Sequence, residues 1–413
     1  MLTSKPRNLN AMQIIDNIPV FGSPVDESAL RQIKTCYYIF GRAAMMADHH
    51  KGYGVPIGGV IAHENLVSPS GVGYDIGCGN KAVLTDADAT DIHTNIGRIM
   101  NDIWSTVSFG LARKNKEPVD HELFDDNNDD AWQITQGANT AAWKLTSLRD
   151  LARAQLGTVG GGNHYVDIFE DEHHRIWVGA HFGSRGFGHK IATRFLNRAG
   201  AKDDMDSSPV ALDTRTQEGQ DYIAAMKLAG RYAYAGRDWV CHRVVKILGA
   251  RVLDEVHNHH NFAWLEEHDG QKLWVVRKGA TPAFPGQRGF VGGTMAEPAV
   301  ILEGVENEEA KYSLRSTIHG AGRLMGRREA TGIFDRKTGV CKREPKVTAE
   351  MMMRSVKNAN VELRGAGVDE SPHCYKRLSD VLEAHRNSIR VLHTLTPLGV
   401  AMASAKEFDP YKD

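Results

Sequence analysis

The chain has 413 residues, 41% hydrophobic and 24% charged, enough apolar material for a sizeable buried core, which excludes a disordered or fibrous protein. A formal net charge of −1 excludes recognition of nucleic acid through bulk positive potential, so contact with such a partner must rest on local charge. No stretch approaches the roughly 18 uninterrupted apolar residues of a membrane span, and the opening MLTSKPRNLNAMQ has no signal-peptide core, so the expected location is the cytoplasm.

In chain order, the first segment that could carry chemistry is GVGYDIGCG. Its glycines let the backbone turn tightly enough for Asp75 and Cys78 to point at one spot. On its own, this pattern is more often a buried thiol beside a turn aspartate. A strand is expected at Lys81–Thr85, and DDNNDD, Asp125–Asp130, reads as a solvated loop. GTVGGGNHYVDI follows, with Asn163 and His164 after a glycine run that can present backbone N–H groups to an anion. No GK[ST] follows it, so it is not a Walker loop. Strands at Tyr165–Phe169 and Ile176–Ala180 lead into HFGSRGFGHK, His181 to Lys190, where Arg185 in a glycine loop suits phosphate.

Apolar residues at three- and four-residue spacing predict a helix over Gly219–Leu248. HNHHN, His257 to Asn261, comes next; of its imidazoles, His260 is the favoured ligand. Strands are expected at Leu273–Arg277 and Ala299–Leu302, flanking RKGATPAFPGQ and GGTM. In IHGAGR, His319 precedes small residues that leave its ring open to a bulky group, a layout that suits attack on phosphorus, although a structural histidine is the commoner meaning of such a motif alone. Helical spacing returns at Glu350–Leu363 and Leu378–Thr394. The helices are expected to pack outside. Strands and helices do not alternate regularly, which predicts an α+β fold with mixed or antiparallel sheets in one unit over 1–413.

The motifs gain weight together. Glycine, at 41 residues, exceeds the roughly 7% background, and the 19 histidines suggest metal. The five cysteines lack CxxC spacing and are expected as reduced thiols, one of them available as a ligand. A thiolate, a carboxylate and several imidazoles in glycine loops form a two-metal inventory, and the arginine–glycine loops add phosphate contacts.

From MADHHKGYGVPIGGVI (46–61) through GVGYDIGCG, GNHYVDI, HFGSRGFGHK, HHN, RKGAT and HGAGR to DESPHCYKRLSDVLEAHRNSIRVLHTL, the chain resembles the RtcB family of RNA ligases. The resemblance implies a single-domain α+β fold that joins RNA 3′-phosphate or 2′,3′-cyclic phosphate ends to 5′-hydroxyl ends with GTP and two Mn²⁺ ions, in RNA repair or tRNA splicing. It further implies Asp75, Cys78, His164, His181 and His260 as metal ligands, with Cys78 bridging, and His319 as the residue that becomes guanylylated. Nucleotide contacts would come from Asn163, Tyr165, Asp167, Thr294 and the Gly320, Ala321, Gly322, Arg323 loop, and phosphate contacts from Arg185, Arg323 and Arg327. Oligomeric state and any accessory activator are left open by it.

Three departures from the family pattern bear on base selectivity and substrate. Met402 stands where members carry a guanine-contacting lysine, with Lys406 as a substitute; Asp167 replaces a glutamate; and GRYAYAGR replaces an asparagine-rich helix. They suggest a divergent subgroup acting on damaged or cleaved RNA other than tRNA halves. Two rival functions use the same residues: a metal-dependent phosphoesterase that forms no covalent nucleotide, and a non-catalytic RNA-binding protein that kept the fold.

Overall fold

The computed structural model describes residues 12–405 except 116–117, 126–130, 133–144, 202–203, 336–337 and 339, so most of the DDNNDD segment and Lys406 lie outside the described residues. Two sheets organise an α+β fold. The smaller runs, in spatial order, Met12–Ile15, Ile18–Phe21, Arg42–His50, Ile57–His63, Gln271–Lys278, Asn261–His268. The larger runs Val252–His259, Gly79–Thr85, Ile176–Phe182, Tyr165–Asp171, Ile389–Ser404, Ala299–Gly304, Arg288–Val291, with Glu362–Ala366 pairing parallel to the end of the long strand. Every strand expected from alternation lies inside one of these.

The larger sheet curls until its ends meet, because side chains bridge the gap that backbone pairing leaves. Asn258 Oδ1 accepts from Phe290 N–H at 2.9 Å and Asn80 Nδ2 donates to the Phe290 carbonyl at 2.9 Å. Arg288 closes the same seam outside through Asp254, at 2.5 Å. The two sheets are joined at a single residue: the strand ending at His259 belongs to the larger and the strand starting at Asn261 to the smaller, leaving His260 at the junction.

Helix Gln217–Leu248 begins where Thr216 Oγ1 accepts from Gly219 N–H and ends at Gly249, whose φ of 67° reverses the chain. It is not the outer helix expected. Tyr222, Ala225, Met226, Ala229, Tyr232, Ala233, Gly236 and Val240 are buried, and Gly230 lets Phe262 come so near that a Cβ would lie 2.6 Å from its ring. The small residues of GRYAYAGR thus bring this helix against the Gly77–Cys78 loop, where Gly77 faces Ala233 and Gly230.

Two other helices stop short of their expected ends. Ala349–Asn358 terminates before Asn360, which adopts a φ of 54°, and the chain leaves as the strand Glu362–Ala366. Leu378–Glu383 ends likewise, and Ile389–Ser404 becomes the long strand of the larger sheet. Isoleucine, valine and threonine over 389–396 satisfy both periods, and partners on each side decide for the strand.

Arg277 of RKGAT has a structural task. Its side chain is 0% exposed, pairs with Glu266 at 2.6 Å, and donates to Ser316 Oγ at 2.8 Å and the Leu314 carbonyl at 2.9 Å, so it anchors the strand that delivers His319. Arg277→Met is expected to cost about 3–5 kcal/mol, since it leaves a largely buried carboxylate with His268 as its remaining side-chain partner and the Leu314 carbonyl without its donor. Denaturant unfolding with an unchanged m-value would read this out, and a loss below about 1 kcal/mol would refute it.

Candidate active site

The glycine loops converge on one cavity of 1580 Å³, lined by Asp75, Cys78, Asn163, His164, Tyr165, Asp167, His181, Arg185, His260, Thr294, His319, Gly320, Ala321, Gly322, Arg323 and Arg327. Every metal, nucleophile, nucleotide and phosphate residue named from the sequence among the described residues therefore reaches it, Lys406 lying outside them. Strand register explains part of this: Asn258, Asn80, His181, Tyr165 and Met402 are successive cross-strand partners, so they share one row of the larger sheet.

The tightest group is Cys78, His164 and His181, whose ligand atoms all lie within 4.8 Å of one another. Cys78 Sγ is 3.7 Å from His164 Nε2 and 3.8 Å from His181 Nε2. A turn in which Cys78 N–H donates to the Asp75 carbonyl at 3.0 Å sets both residues on the same side. Gly183 admits the carboxylate, since a Cβ there would lie 2.3 Å from Asp75 Oδ1. His260 stands apart from the trio, its ring stacked 5.1 Å from His181 and edge-on to His319 at 4.8 Å, its backbone N–H bonded to the Cys78 carbonyl at 2.8 Å.

Hydrogen bonds fix which nitrogens face the centre. Asn80 spends its amide N–H on Phe290, which turns its Oδ1 toward His181 Nδ1 at 2.6 Å; that nitrogen donates, and Nε2 presents a lone pair to the thiol. His164 Nδ1 lies 3.0 Å from the Val159 carbonyl and 3.2 Å from Arg185 Nη1, which leaves Nε2 facing the centre. That atom lies 3.1 Å from Asp75 Oδ2, which has no hydrogen-bond partner among the described residues. Burial pushes the Cys78 thiol well above its usual value, and Asp75 pushes the same way; burial pulls His181 and His260 well below theirs, so both rings are neutral. Imidazoles, a thiol and a carboxylate, with Asp75 Oδ2 and His260 Nδ1 lacking hydrogen-bond partners among the described residues, fit divalent cations of borderline softness.

Arg237, from the long helix, braces this group from behind. Completely buried, it donates to the Gly77 carbonyl at 2.9 Å, the Phe182 carbonyl at 2.5 Å and His257 Nε2 at 2.8 Å, tying together the loops that carry Cys78, His181 and His260. On the opposite side, Gly160 accommodates Arg185, whose guanidinium would meet any Cβ there.

His319 leaves the strand Ser316–Ile318 at the cavity wall. Asp48 holds it: one carboxylate oxygen, Oδ2, accepts from His319 Nδ1 at 2.6 Å, from His319 N–H at 2.9 Å and from Gly320 N–H at 3.4 Å. Burial raises the Asp48 carboxyl, but the His319 imidazole and these donors outweigh it and hold it below its ordinary value. With Nδ1 donating, His319 keeps the lone pair on Nε2. Gly279 leaves room for the ring, since a Cβ there would lie 3.0 Å from His319 Cε1.

Arg323 and Arg327 line the cavity but are already engaged. Arg323 donates to Tyr375 Oη at 2.9 Å and the Asp369 carbonyl at 2.7 Å, and Arg327 to Asp369 at 2.9 Å and, more closely, to Glu370. A second polar group of the lining is less satisfied: Tyr165 Oη, Asp167 Oδ1 and Thr294 Oγ1 are buried without partners among the described residues. Burial holds the Asp167 carboxyl well above its usual value, a backbone donor from Ala401 only partly opposing it. Met402, Tyr165's partner in register, lies beside them.

Sequence reading had assigned no role to Asp48, Asn80 or Arg237. Asp48 carried a signal nonetheless: a carboxylate inside the apolar run AAMMADHH, on a strand buried along nearly its whole length, requires a partner. Asn80 and Arg237 gave none, because their partners come from strands and loops distant in sequence.

The family model described as tRNA-splicing ligase RtcB matches residues 29–403. The chain is 32% identical over 400 residues to the RNA-splicing ligase RtcB of Escherichia coli K12, covering 91% of this chain and 94% of that protein. It is 31% identical to the tRNA-splicing ligase RtcB of Archaeoglobus fulgidus and 29% identical to that of Thermococcus kodakarensis, covering 86% and 88% of both partners respectively. A match over nearly the whole chain, through the loops that build this cavity, places the chain in the RtcB family.

Proposed function

We propose that the protein is an RNA ligase that seals 3′-phosphate or 2′,3′-cyclic phosphate ends to 5′-hydroxyl ends through a nucleotide carried on His319, with GTP as donor and Mn²⁺ as the metal. The observation that carries this reading is the Asp48–His319 pair at the edge of a thiol–imidazole–carboxylate cluster. A phosphoesterase would use such an imidazole as a general acid or base and retain no nucleotide on it, which is the difference the labelling test reads.

His319 Nε2 attacks the α-phosphorus of GTP; an N–P bond forms, the bond to pyrophosphate breaks, and positive charge develops on the ring. Asp48 stabilises that charge through Nδ1–H, much as a carboxylate orients the histidine of a hydrolase triad. An oxygen of the RNA 3′-phosphate next takes the GMP group from His319, whose imidazole leaves neutral. The 5′-hydroxyl then attacks the 3′-phosphorus, expels GMP and loses its proton. Bound at Asp75, Cys78, His164, His181 and His260, Mn²⁺ ions would supply neutralisation of phosphoryl charge. Tyr165, Asp167 and Thr294 offer hydrogen-bonding groups to a base edge, Asn163, Arg185 and the Gly320–Ala321–Gly322 turn border the phosphates, and Arg323 and Arg327 complete that wall.

The test is end joining of RNA with 3′-phosphate and 5′-hydroxyl termini, each nucleoside triphosphate and divalent metal supplied in turn, alongside retention of acid-labile label from α-³²P GTP. Joining with no retained label would exclude the covalent route. Asp48→Asn is expected to reduce labelling roughly 10²- to 10³-fold with Mn²⁺ affinity unchanged, because a neutral amide oxygen cannot stabilise the positive charge that develops on the His319 ring as a carboxylate does. Equal labelling by this variant would remove Asp48 from the mechanism.

A further inference from the structure

The cavity is larger than one nucleotide requires: at 1580 Å³ it exceeds the roughly 300–1,000 Å³ of an ordinary small-molecule pocket. The residues discussed so far occupy one side of it. Its other arm, beyond Asp75, is lined by Tyr53, Tyr74, His189, Lys190, Thr193 and Asn197. His189, Thr193 and Asn197 recur at four-residue spacing on helix Arg185–Arg198, so one polar face of that helix borders the arm while Phe187, Ile191 and Phe195 enter the core.

The aromatic rings of this arm form a ladder. Tyr74 and His189 are stacked with centroids 5.1 Å apart and planes 23° apart, and Tyr53 meets Tyr74 edge-on at 6.4 Å and 85°. Tyr53 remains 38% exposed. The loop beneath it is rigidly held: buried Lys278 donates to the Tyr53 carbonyl at 2.7 Å and the Ser70 carbonyl at 2.9 Å, Gln32 Oε1 accepts from Gly52 N–H at 3.0 Å, and Gly54 N–H donates to the Met205 carbonyl at 3.1 Å. Tyr74 directly precedes Asp75, so the ladder continues covalently into the ligand cluster.

We infer that this arm is a stacking subsite for an unpaired terminal nucleotide of single-stranded RNA, with the exposed Tyr53 ring as the platform, Tyr74 bracing it edge-on and Lys190 supplying positive charge for the backbone. Base–aromatic stacking is indifferent to sequence because every base has a π-face, and it needs the flat, pre-set rings this arm provides. An aromatic wall one residue from a ligand carboxylate places the end of the strand, rather than its middle, at the reacting centre. This inference rests on the RNA-ligase reading and extends it to how the end is held.

The test uses the full chain and short single-stranded RNAs with a 3′-phosphate and 5′-hydroxyl, carrying 2-aminopurine at the 3′-terminal or the 5′-terminal position. Stacking quenches this base, so quenching on binding to the unaltered protein at either end is expected. Tyr53→Leu and Tyr74→Leu should relieve the quenching and raise the RNA Kd and the KM for end joining roughly 10- to 100-fold, and Tyr53→Phe should restore both. Unchanged quenching and Kd in both leucine variants would overturn the proposal, as would an equal loss in Tyr53→Phe. If the unaltered protein retains no label from α-³²P GTP while the quenching and Kd respond as expected, the covalent-nucleotide reading falls and the RNA subsite stands.

Discussion

His319→Ala is expected to abolish both the acid-labile nucleotide adduct and end joining, a loss of about 10⁴-fold or more, with the fold intact. The magnitude follows from the role: a nucleophile that acts with its orienting carboxylate cannot be replaced by water in the same position without losing most of the shared effect. The fold should survive because the side chain sits at a cavity wall and its principal partner, Asp48, keeps the N–H groups of residues 319 and 320. Circular dichroism and thermal unfolding close to the unaltered protein, together with a missing adduct, make the expected pair of results. Unimpaired joining by the alanine variant would leave no place for a histidine-borne nucleotide.

Cys78→Ala is expected to weaken Mn²⁺ binding at least about 100-fold and to lower adduct formation by about 10³-fold or more. The sulfur lies between two imidazole nitrogens at 3.7 and 3.8 Å, so its removal takes away the atom that His164 and His181 share. A buried thiolate is costly without a cation, and a cation held by neutral imidazoles and one carboxylate lacks charge without the thiolate, so each stabilises the other. Cys78→Ser, which keeps a harder ligand atom, should fall between. Titration of Mn²⁺ followed by electron paramagnetic resonance reads affinity without reference to activity. Identical titrations for the unaltered and alanine proteins would separate Cys78 from any metal site.

The sequence was most informative where chemistry and local geometry coincide. Glycine loops around Asp75–Cys78, Asn163–His164 and His181–Arg185 were legible as sites because glycine spacing and ligand-bearing side chains occur in the same few residues, and all of them reach the cavity. Strands such as Tyr165–Asp171 and Ile176–Phe182 were legible because β-branched and aromatic runs bounded by turns have few other readings. The long helix was recognised as a helix, but its depth was not, since a face made of alanine and glycine looks weakly apolar and is buried by close approach rather than by bulk.

What the sequence by itself determined is therefore the inventory: the α+β class, five of the strands, the resemblance to a family, and which side chains could bind a metal or attack phosphorus. The tertiary structure alone decided three things. It turned 389–404 from a candidate helix into a strand, because cross-strand partners on both sides outweigh local periodicity. It set Asp48 beneath His319, 271 residues away, and Asn80 behind His181, 101 residues away, so that each ring presents a defined nitrogen. It also engaged Arg323 and Arg327 with Asp369 and Glu370. Hydrogen-bond partners of this kind depend on where two strands or loops meet in space, and no pattern within either segment encodes that meeting.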